Sequence, residues 1–256
     1  MEFSNQILHG DCNELLRSVP GESVDLVVTD PPYGVHYRDR NGRSVANDDH
    51  LGNVLGAFSQ IYRIMRPNTV CISFYGWNKV DAFFAAWRRA GFYPVGHIVW
   101  VKSYASNCRF LEARHEQAYV LAKGRPSAPA KPIADVCKWH YSGNRIHPTQ
   151  KAVGILKPLV ECFSRPGELV LDPFCGSGST CVAAAVTGRR YLGMDLVSEH
   201  CATARGRLAA VPRNDTDDAK FAEALNDLHR WLYQQRSKSA PGESASDKAW
   251  SPSGIQ

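Results

Sequence analysis

A strand, a glycine-containing loop and a helix follow one another late in the chain, and this order constrains the fold more than any other feature. Residues 168–171 predict a short strand, and residues 181–187 are small and compatible with a helix. Between them lies Asp172-Pro173-Phe174-Cys175-Gly176-Ser177-Gly178-Ser179-Thr180. A second strand pattern, residues 191–194, ends at Asp195. This succession predicts a parallel βαβ unit with the loop at the carboxyl end of its first strand.

The loop and Asp195 together predict a site for a nucleoside-type ligand. Gly176 and Gly178 have no side chain, so a ligand can approach the backbone closely there. Asp195 follows the next strand, where a carboxylate commonly binds a ribose diol in this kind of fold. A phosphate site is a weaker interpretation, because the loop has neither a third glycine nor a lysine. A simple tight turn is the alternative for the Gly-x-Gly pattern alone.

The quartet Asp30-Pro31-Pro32-Tyr33 is the second chemical feature. It follows residues 24–29, an apolar run with the β-branched content of a buried strand. The prolines stiffen the backbone and so fix two acceptors, Asp30 Oδ and the Pro31 carbonyl oxygen. Together they can accept hydrogen bonds from both N–H groups of a nucleobase amino group, which frees the nitrogen lone pair for attack. Tyr33 offers a face on which a base can stack. The alternative is a strand-ending aspartate before a Pro-Pro turn with a core tyrosine.

Composition places the chain among globular proteins. Its 256 residues are 44% hydrophobic and 21% charged, which predicts one large domain with a substantial core. No apolar run is as long as a membrane span and no signal peptide is recognisable, so we expect a cytoplasmic protein without a membrane partner. The eight cysteines are scattered, and Cys137-Lys138-Trp139-His140 lacks a second half, so we expect reduced thiols and no metal.

Positive charge is concentrated in the middle of the chain. The net charge is +5, and residues 100–151 contain nine Lys or Arg and three acidic residues. This clustering favours a polyanion such as nucleic acid as partner, whereas a solvated basic face is the alternative. Residues 124–146 contain three prolines and predict a compact insert packed on the sheet rather than part of it. The polar residues 34–51 predict a mobile loop that orders when nucleic acid binds.

The remaining patterns complete an alternation of strands and helices. Asp11 is expected to cap a helix over residues 13–19, with Glu14 completing a capping box. An amphipathic helix is expected within residues 211–235 and a disordered tail over 236–256. The other predicted strands are residues 6–9, 69–74, 96–102 and 117–121, and the other predicted helices are residues 51–65, 77–89, 147–163 and 198–208.

In this order the blocks resemble the S-adenosylmethionine-dependent DNA amino-methyltransferases, specifically their β-type permutation. In that family the D-P-P-Y block comes first, a target-recognition insert follows, and the D-P-F-x-G-S-G-T loop comes near the end. His147-Pro148-Thr149-Gln150-Lys151 resembles the family's H-P-T-Q-K block, and Gly10-Asp11 also matches. The resemblance covers roughly residues 6–210. Ala152 and Ser179 depart from the family's proline and threonine without removing a group that the chemistry needs.

The resemblance implies a three-layer, Rossmann-like α/β fold, with a circularly permuted, mostly parallel sheet of seven strands over residues 1–210. The permutation predicts that the chain near Leu208 lies close to Gln6. The implied activity is methyl transfer from S-adenosyl-L-methionine to the N6 amino group of an adenine flipped out of double-stranded DNA. Members of the family often form homodimers, so a homodimer is a further expectation.

The resemblance also assigns roles to individual residues. The catalytic set is Asp30, Pro31, Pro32 and Tyr33. The cofactor set is Asp11, Asp172, Phe174, Gly176, Ser177, Gly178, Thr180 and Asp195, with Thr149 and Lys151 as further candidates. The candidates for DNA contacts are Arg38, Arg43, Lys102, Arg109, Arg125, Lys138, Asn144 and Arg145.

Three other functions share parts of this pattern. A cytosine-N4 methyltransferase uses the same amine chemistry, but its quartet more often begins with serine. A glutamine or RNA methyltransferase usually places the glycine loop before an N-P-P-Y quartet, and here the order is reversed. A non-catalytic DNA-binding regulator could keep the fold, but the intact quartet and loop argue against it.

Overall fold

A computed structural model describes residues 3–34, 51–106, 110–139 and 151–211. All of these belong to the first of the two units into which the chain divides, Met1–Thr216. Most of the predicted mobile loop, part of the insert, the H-P-T-Q part of the H-P-T-Q-K block, the amphipathic helix and the tail lie outside the described residues.

Among the described residues, eight strands form one sheet in the order β1-β8-β7-β2-β3-β5-β4-β6. β5 is antiparallel to β3 and β4, and every other pair of neighbours is parallel. The sheet is therefore mostly parallel, as the sequence predicts. The strands are β1 (Gln6–His9), β2 (Val24–Thr29), β3 (Met65–Phe74), β4 (Tyr93–Val101), β5 (His115–Lys123), β6 (Val136–Lys138), β7 (Leu169–Asp172) and β8 (Arg190–Asp195).

Helices cover both faces of this sheet. One hydrophobic core contains residues of the first three helices, and a second core on the other face contains residues of the next two. The arrangement is the three-layer α/β fold predicted from the sequence. The helices are α1 (Cys12–Ser18), α2 (Leu51–Ile64), α3 (Val80–Ala90), α4 (Val153–Phe163), α5 (Ser179–Val186) and α6 (Ser198–Ala209), and a short 3-10 turn, Trp77–Lys79, precedes α3.

The central strand β2 shows why these residues form a covered sheet. Val27 belongs to one core, whereas Leu26 and Val28 belong to the other, because successive side chains in a strand point to opposite faces. Val24 joins the core of Val27, since the pairing of β2 with β3 shifts register between Val24 and Leu26. All four are fully buried. A nearly continuous apolar run is typical of a strand with helices on both faces.

The two ends of the catalytic region meet as the permutation predicts. β1 pairs in parallel with β8, from Gln6 opposite Leu192 to His9 opposite Asp195. Leu208 packs against the small core that contains Ile7, and Arg205 Nη2 donates a hydrogen bond of 2.7 Å to the Ile7 carbonyl. The prediction that the chain near Leu208 lies close to Gln6 is confirmed.

One strand was not expected. β6 lies inside the segment 124–146 and pairs in parallel with β4, so the prediction that this segment stays outside the sheet is wrong for these residues. The Val99 N–H donates to the Asp135 carbonyl (2.7 Å) and the Trp139 N–H to the Val101 carbonyl (2.9 Å), which satisfies the outer edge of β4. A three-residue strand carries too little periodicity to be read from sequence, and its addition raises the strand number from seven to eight.

Candidate active site

The quartet and the glycine loop leave the sheet side by side. β2 and β7 are parallel neighbours, with Leu26 opposite Val170 and Val27 opposite Leu171. Just beyond, Thr29 Oγ1 donates to Asp172 Oδ1 at 3.0 Å, and both residues are buried. Asp30 therefore starts its loop directly beside the loop that follows Asp172.

The Asp30 carboxylate is engaged by two other side chains. Tyr33 OH donates to Asp30 Oδ1 at 2.5 Å, and Lys151 Nζ donates to Oδ2. The Tyr33 ring packs edge-on against Phe83, with 6.3 Å between the ring centroids. A carboxylate has about four accepting positions, so Asp30 keeps capacity for the N–H groups of a ligand.

Gly76 gives the Tyr33 side chain its space. A Cβ at position 76 would lie 3.0 Å from Tyr33 Cβ, tighter than most packed side chains, so Tyr33 would have to move by a few tenths of an ångström. The next residue, Trp77, leaves 73% of its surface exposed on the same edge of the sheet. Sequence reasoning gave no role to either residue, because their relation to Tyr33 depends on the neighbouring position of β3 and β2.

Lys151 lies at the catalytic carboxylate rather than among the loop residues with which the sequence grouped it. Its ammonium contacts Asp30 and sits 4.8 Å from the centroid of the Phe74 ring. Burial lowers the pKa of Lys151, but the negative charges of Asp30, Glu116 and Asp172 outweigh burial, so the pKa is raised overall. Lys151 is therefore protonated and positively charged.

The glycine loop adopts a backbone geometry that explains its two glycines. Gly176 and Gly178 have φ angles of +51° and +79°, a left-handed conformation that favours glycine. A Cβ at Gly178 would lie 2.7 Å from Ala204 Cβ, so the loop packs directly on α6. The half-buried Phe174 side chain packs against the same hydrophobic core as Tyr33.

Asp172 holds the start of this loop from inside. Its Oδ1 accepts from the Phe174 N–H at 3.1 Å as well as from Thr29, and its carboxyl is also hydrogen-bonded to Thr180. Burial raises the pKa of Asp172 to about 7, although these hydrogen bonds oppose the shift. Asp172 and the Thr180 hydroxyl, both predicted to contact the cofactor, thus support the loop from the protein side.

Asp195 stands at the end of β8, opposite the loop. Its Oδ2 accepts from the Gly176 N–H (2.9 Å), and its Oδ1 accepts from the Val197 N–H (2.9 Å) and lies 3.1 Å from His200 Nδ1. Burial alone would raise the pKa of Asp195, but these hydrogen bonds and His200 lower it overall. The ionised carboxylate keeps about one of its four accepting positions for a ligand hydroxyl.

Asp11 lies near Asp195 because β1 and β8 are paired up to His9. Its Oδ1 caps α1 by accepting from the Asn13 N–H at 2.8 Å. The capping role is therefore confirmed, whereas the contact with the cofactor's adenine stays a prediction. The expected capping box is not formed in the predicted way, since Glu14 Oε2 accepts from Arg17 Nη1 at 3.0 Å.

Arg207 supports the glycine loop from behind and was missed in the sequence. It is only 2% exposed, and its Nη1 donates to the Ser177 carbonyl (2.6 Å), Ser177 Oγ (3.0 Å) and Ser179 Oγ (3.1 Å). Burial lowers the pKa of Arg207 to about 10. The Ser177 hydroxyl, predicted to hold the cofactor, is thus bound to the protein. An arginine in a weakly amphipathic helix gives no sequence signal for such a role.

The candidates for DNA contacts divide into three groups. Lys102 is 4% exposed, and its ammonium pairs with Glu116 and lies 3.2 Å from Ser106 Oγ, so its location does not suit the predicted phosphate contact. Arg125 and Lys138 are exposed. The remaining candidates, and the cofactor candidate Thr149, lie outside the described residues: Arg38, Arg43, Arg109, Asn144 and Arg145.

The described part of the chain contains no group of three His, Cys, Asp or Glu residues close enough together to hold a metal ion. None of its helices combines the length and the apolar character that crossing a membrane requires.

Known proteins share both the sequence and the fold. Residues 24–206 match the N6/N4 DNA methylase family. YubD of Escherichia coli (strain K12), which is named as a methylase, is 50% identical over 209 residues, 82% of this chain and 92% of YubD. TTHA0409 of Thermus thermophilus, a DNA modification methylase by name and solved in complex with S-adenosyl-L-methionine, is 25% identical with a TM-score of 0.63, covering 81% of this chain and 95% of TTHA0409. The PvuII DNA methyltransferase (cytosine-N4-specific) is 16% identical with a TM-score of 0.65, covering 88% of this chain and 92% of PvuII, which shows a shared fold.

The fold and site define a methyltransferase of the Rossmann-like class. The chain belongs to the N6/N4 DNA methylase family, whose members are S-adenosylmethionine-dependent DNA methyltransferases. The residues fit that cofactor: Gly176 is only half-buried in the left-handed turn of the loop, and the carboxylates of Asp195 and Asp11 stand at the adjacent strand ends, where ribose and adenine groups could donate hydrogen bonds.

Proposed function

We propose that this DNA methyltransferase acts on the N6 amino group of adenine in double-stranded DNA. The observation that carries the proposal is the position of Asp30. Its carboxylate stands at the end of β2, fixed by Tyr33 and Lys151, beside the loop that follows Asp172. An acceptor for an amino group thus adjoins the loop proposed to hold the methyl donor.

The residues of the quartet activate the amine. Asp30 Oδ and the Pro31 carbonyl oxygen accept hydrogen bonds from the two N–H groups of the amine. This draws the nitrogen lone pair out of conjugation with the ring and directs it toward the methyl group. Pro32 keeps the turn rigid, and Tyr33 stacks on the flipped base. The cofactor supplies a methyl group on a sulfonium that is already activated for displacement. The protein contributes alignment and the electrostatics of a closed site.

The cofactor is held along one edge of the sheet. Phe174 would line its methionine end, and the backbone of Gly176 and Gly178 would approach its amino-acid part. The remaining accepting position of Asp195 binds a ribose hydroxyl, and Asp11 Oδ2 accepts from the adenine amino group. Asp172, Ser177 and Thr180 act on the cofactor indirectly, by fixing the loop from the protein side.

Access to the amine requires the base to leave the duplex. Flipping costs a few kcal/mol, least where the base is already weakly paired. Contacts of exposed cations with phosphates offset this cost and make the affinity fall with salt. Arg125 and Lys138 are the exposed candidates among the described residues. We place the enzyme in the cytoplasm, where DNA is accessible, and keep a homodimer as an expectation to be tested by its mass in solution.

Cytosine N4 is the second candidate target. The family includes both kinds of enzyme by name, and the PvuII enzyme with the same fold is cytosine-N4-specific. The amine chemistry is the same for both bases. Asp30 as the first residue of the quartet favours adenine, because the cytosine enzymes more often have serine there.

Nucleoside analysis of treated DNA tests the proposal. Unmethylated duplex DNA is incubated with the protein and S-adenosyl-L-methionine, digested to nucleosides and analysed by mass spectrometry. We expect N6-methyladenine from the wild type, a loss of roughly 100-fold or more for Asp30→Asn, and little change for Asp81→Asn, an exposed carboxylate on α3. N4-methylcytosine as the product would overturn the choice of base, and equal rates for wild type and Asp30→Asn would overturn the mechanism.

A further inference from the structure

Both oxygens of the Asp30 carboxylate are occupied by protein donors. Oδ1 accepts from Tyr33 OH and Oδ2 accepts from Lys151 Nζ. The side chains of Asp30 and Lys151 are only 21% and 10% exposed, so this ion pair is largely shielded from water. The electrostatic attraction between two opposite charges is stronger in such surroundings than at an open surface.

The Lys151 side chain is fixed from several directions. Its ammonium lies over the Phe74 ring, 4.8 Å from the centroid, which is a favourable cation–π geometry. Its backbone stands two residues before the start of α4. Carboxyl groups from three other strands attract it: Asp30 after β2, Glu116 of β5 and Asp172 of β7. The Lys151 ammonium therefore interacts electrostatically with all three of these carboxyl groups.

Without that cation, the site would contain carboxyls that oppose each other's ionisation. Asp172 is buried, and the charge of Asp30 contributes to the rise in the pKa of Asp172. Neighbouring carboxyls cannot both ionise easily, so one of them retains a proton to a higher pH. A protonated Asp30 would have an O–H donor where the target amine needs an acceptor. A fixed ammonium at Oδ2 favours the ionised form.

We propose that Lys151 is a positioning residue for methyl transfer, which keeps the Asp30 carboxylate ionised and directed toward the target amine. The inference rests on the proposed function, since it gives Lys151 a role in that reaction. Lys151 makes and breaks no bond of the reacting groups. The carboxylate retains about two accepting positions beside Tyr33 and Lys151, so the amine can bind without displacing either.

The test is the pH profile of kcat at saturating DNA and cofactor for wild type, Lys151→Met and Lys151→Arg. Among the described residues, the charged and titratable groups that face the pair are Tyr33, Glu116 and Asp172, and all three are unchanged in both variants. In Lys151→Met, the acid limb of the profile is expected to move to higher pH, because a neighbouring positive charge favours the ionised form of a carboxyl group and the variant removes that charge. Lys151→Arg keeps the charge and is expected to keep the wild-type limb, even where kcat falls.

Cofactor affinity separates this role from a purely structural or cofactor-binding one. The Kd for S-adenosyl-L-methionine, measured by titration calorimetry, is expected to stay near the wild-type value in both variants. An unshifted acid limb in Lys151→Met, or a fall in kcat matched by an equal loss of cofactor affinity, overturns the inference. If Lys151→Met shows no cooperative thermal transition, the test depends on Lys151→Arg. An acid limb of kcat at the wild-type pH in Lys151→Arg supports the inference, and an acid limb at higher pH overturns it. Failure of the wild type to methylate DNA is a separate result, which counts against the proposed function itself.

Discussion

Thr29 Oγ1 donates a hydrogen bond to Asp172 Oδ1 across 3.0 Å, although 143 positions separate the two residues in the chain. The bond joins the last residue of β2 to the last residue of β7, so it fixes the relative height of the quartet and the glycine loop. It is buried and therefore shielded from competing water. The alignment of the proposed acceptor with the proposed methyl donor depends on this contact between the two permuted halves.

The titration of Asp172 should appear in the stability of the fold. The pKa of Asp172 is raised from 3.8 to about 7 by burial, so between these pH values the folded protein binds a proton that the unfolded chain has released. The free energy of unfolding should then fall as the pH rises from about 4 to about 7, and level off above. Asp172→Asn removes this titration. The difference in the free energy of unfolding between wild type and Asp172→Asn should therefore change by up to about 4 kcal/mol between about pH 4 and pH 7.

Urea denaturation of wild type and Asp172→Asn at several pH values between about 4.5 and 8 measures this difference. Changes in hydrogen bonding to Phe174 and Thr29 shift the Asn variant by an amount that does not depend on pH, so the slope isolates the carboxyl. A difference that stays constant across the window, or that grows in favour of the wild type with rising pH, would contradict the raised pKa.

The left-handed turn at Gly178 predicts a strong effect of a single methyl group. Gly178→Ala places a Cβ 2.7 Å from Ala204 Cβ at a φ of +79°, so both the backbone and the packing on α6 are strained. We expect a loss of roughly 1–3 kcal/mol in stability and weaker binding of S-adenosyl-L-methionine. Gly206→Ala is the matched control on α6, where a Cβ meets nothing within 4 Å. Thermal melting and cofactor titration that place the two variants together would refute the assignment of strain to position 178.

Arg207 should affect the binding of the cofactor more than the activation of the target amine. Arg207→Met leaves the Ser177 carbonyl and two hydroxyls without their buried donor, which loosens the loop before the cofactor binds. We expect the KM for S-adenosyl-L-methionine to rise roughly tenfold, equivalent to about 1.4 kcal/mol of binding free energy, with a smaller change in kcat. Arg205→Met, two residues away and exposed, removes one hydrogen bond to the Ile7 carbonyl and serves as the control. Equal KM values for the two variants would remove Arg207 from the cofactor site.

Sequence alone was sufficient for the parts of the fold that local chemistry determines. The helix cap at Asp11 and the buried β2 follow from residue type and spacing, because each depends on neighbours close in the chain. The closeness of Leu208 and Gln6 followed from the order of whole blocks, since that order determines which strands are neighbours.

Contacts between distant segments could not be predicted in the same way. Lys151 reaches Asp30 from 121 positions away, and Arg207 reaches Ser177 from 30 positions away. The charge run that suggested Lys102 as a DNA contact does not show that Glu116, on the neighbouring strand, takes up that ammonium. A basic residue looks the same in sequence whether it faces phosphates or a buried carboxylate, and only the pairing of β4 with β5 decides between them.

Lys138 and Lys102 therefore provide a matched pair for the DNA interface. Lys138 is exposed on β6, whereas Lys102 is buried against Glu116 one residue past the end of β4. If Lys138 contacts a phosphate, Lys138→Gln should weaken DNA binding for all sequences alike, and the plot of log affinity against log salt should become shallower by about 0.9. Lys102→Gln should leave that slope unchanged and instead lower stability by roughly 1–3 kcal/mol, since it leaves the Glu116 carboxylate without its partner. Fluorescence anisotropy between about 50 and 200 mM salt measures the slope, and urea denaturation measures the stability of each variant. A shallower slope for Lys102→Gln alone would reverse the assignment of the two lysines, because a cation that releases counterions must face the DNA.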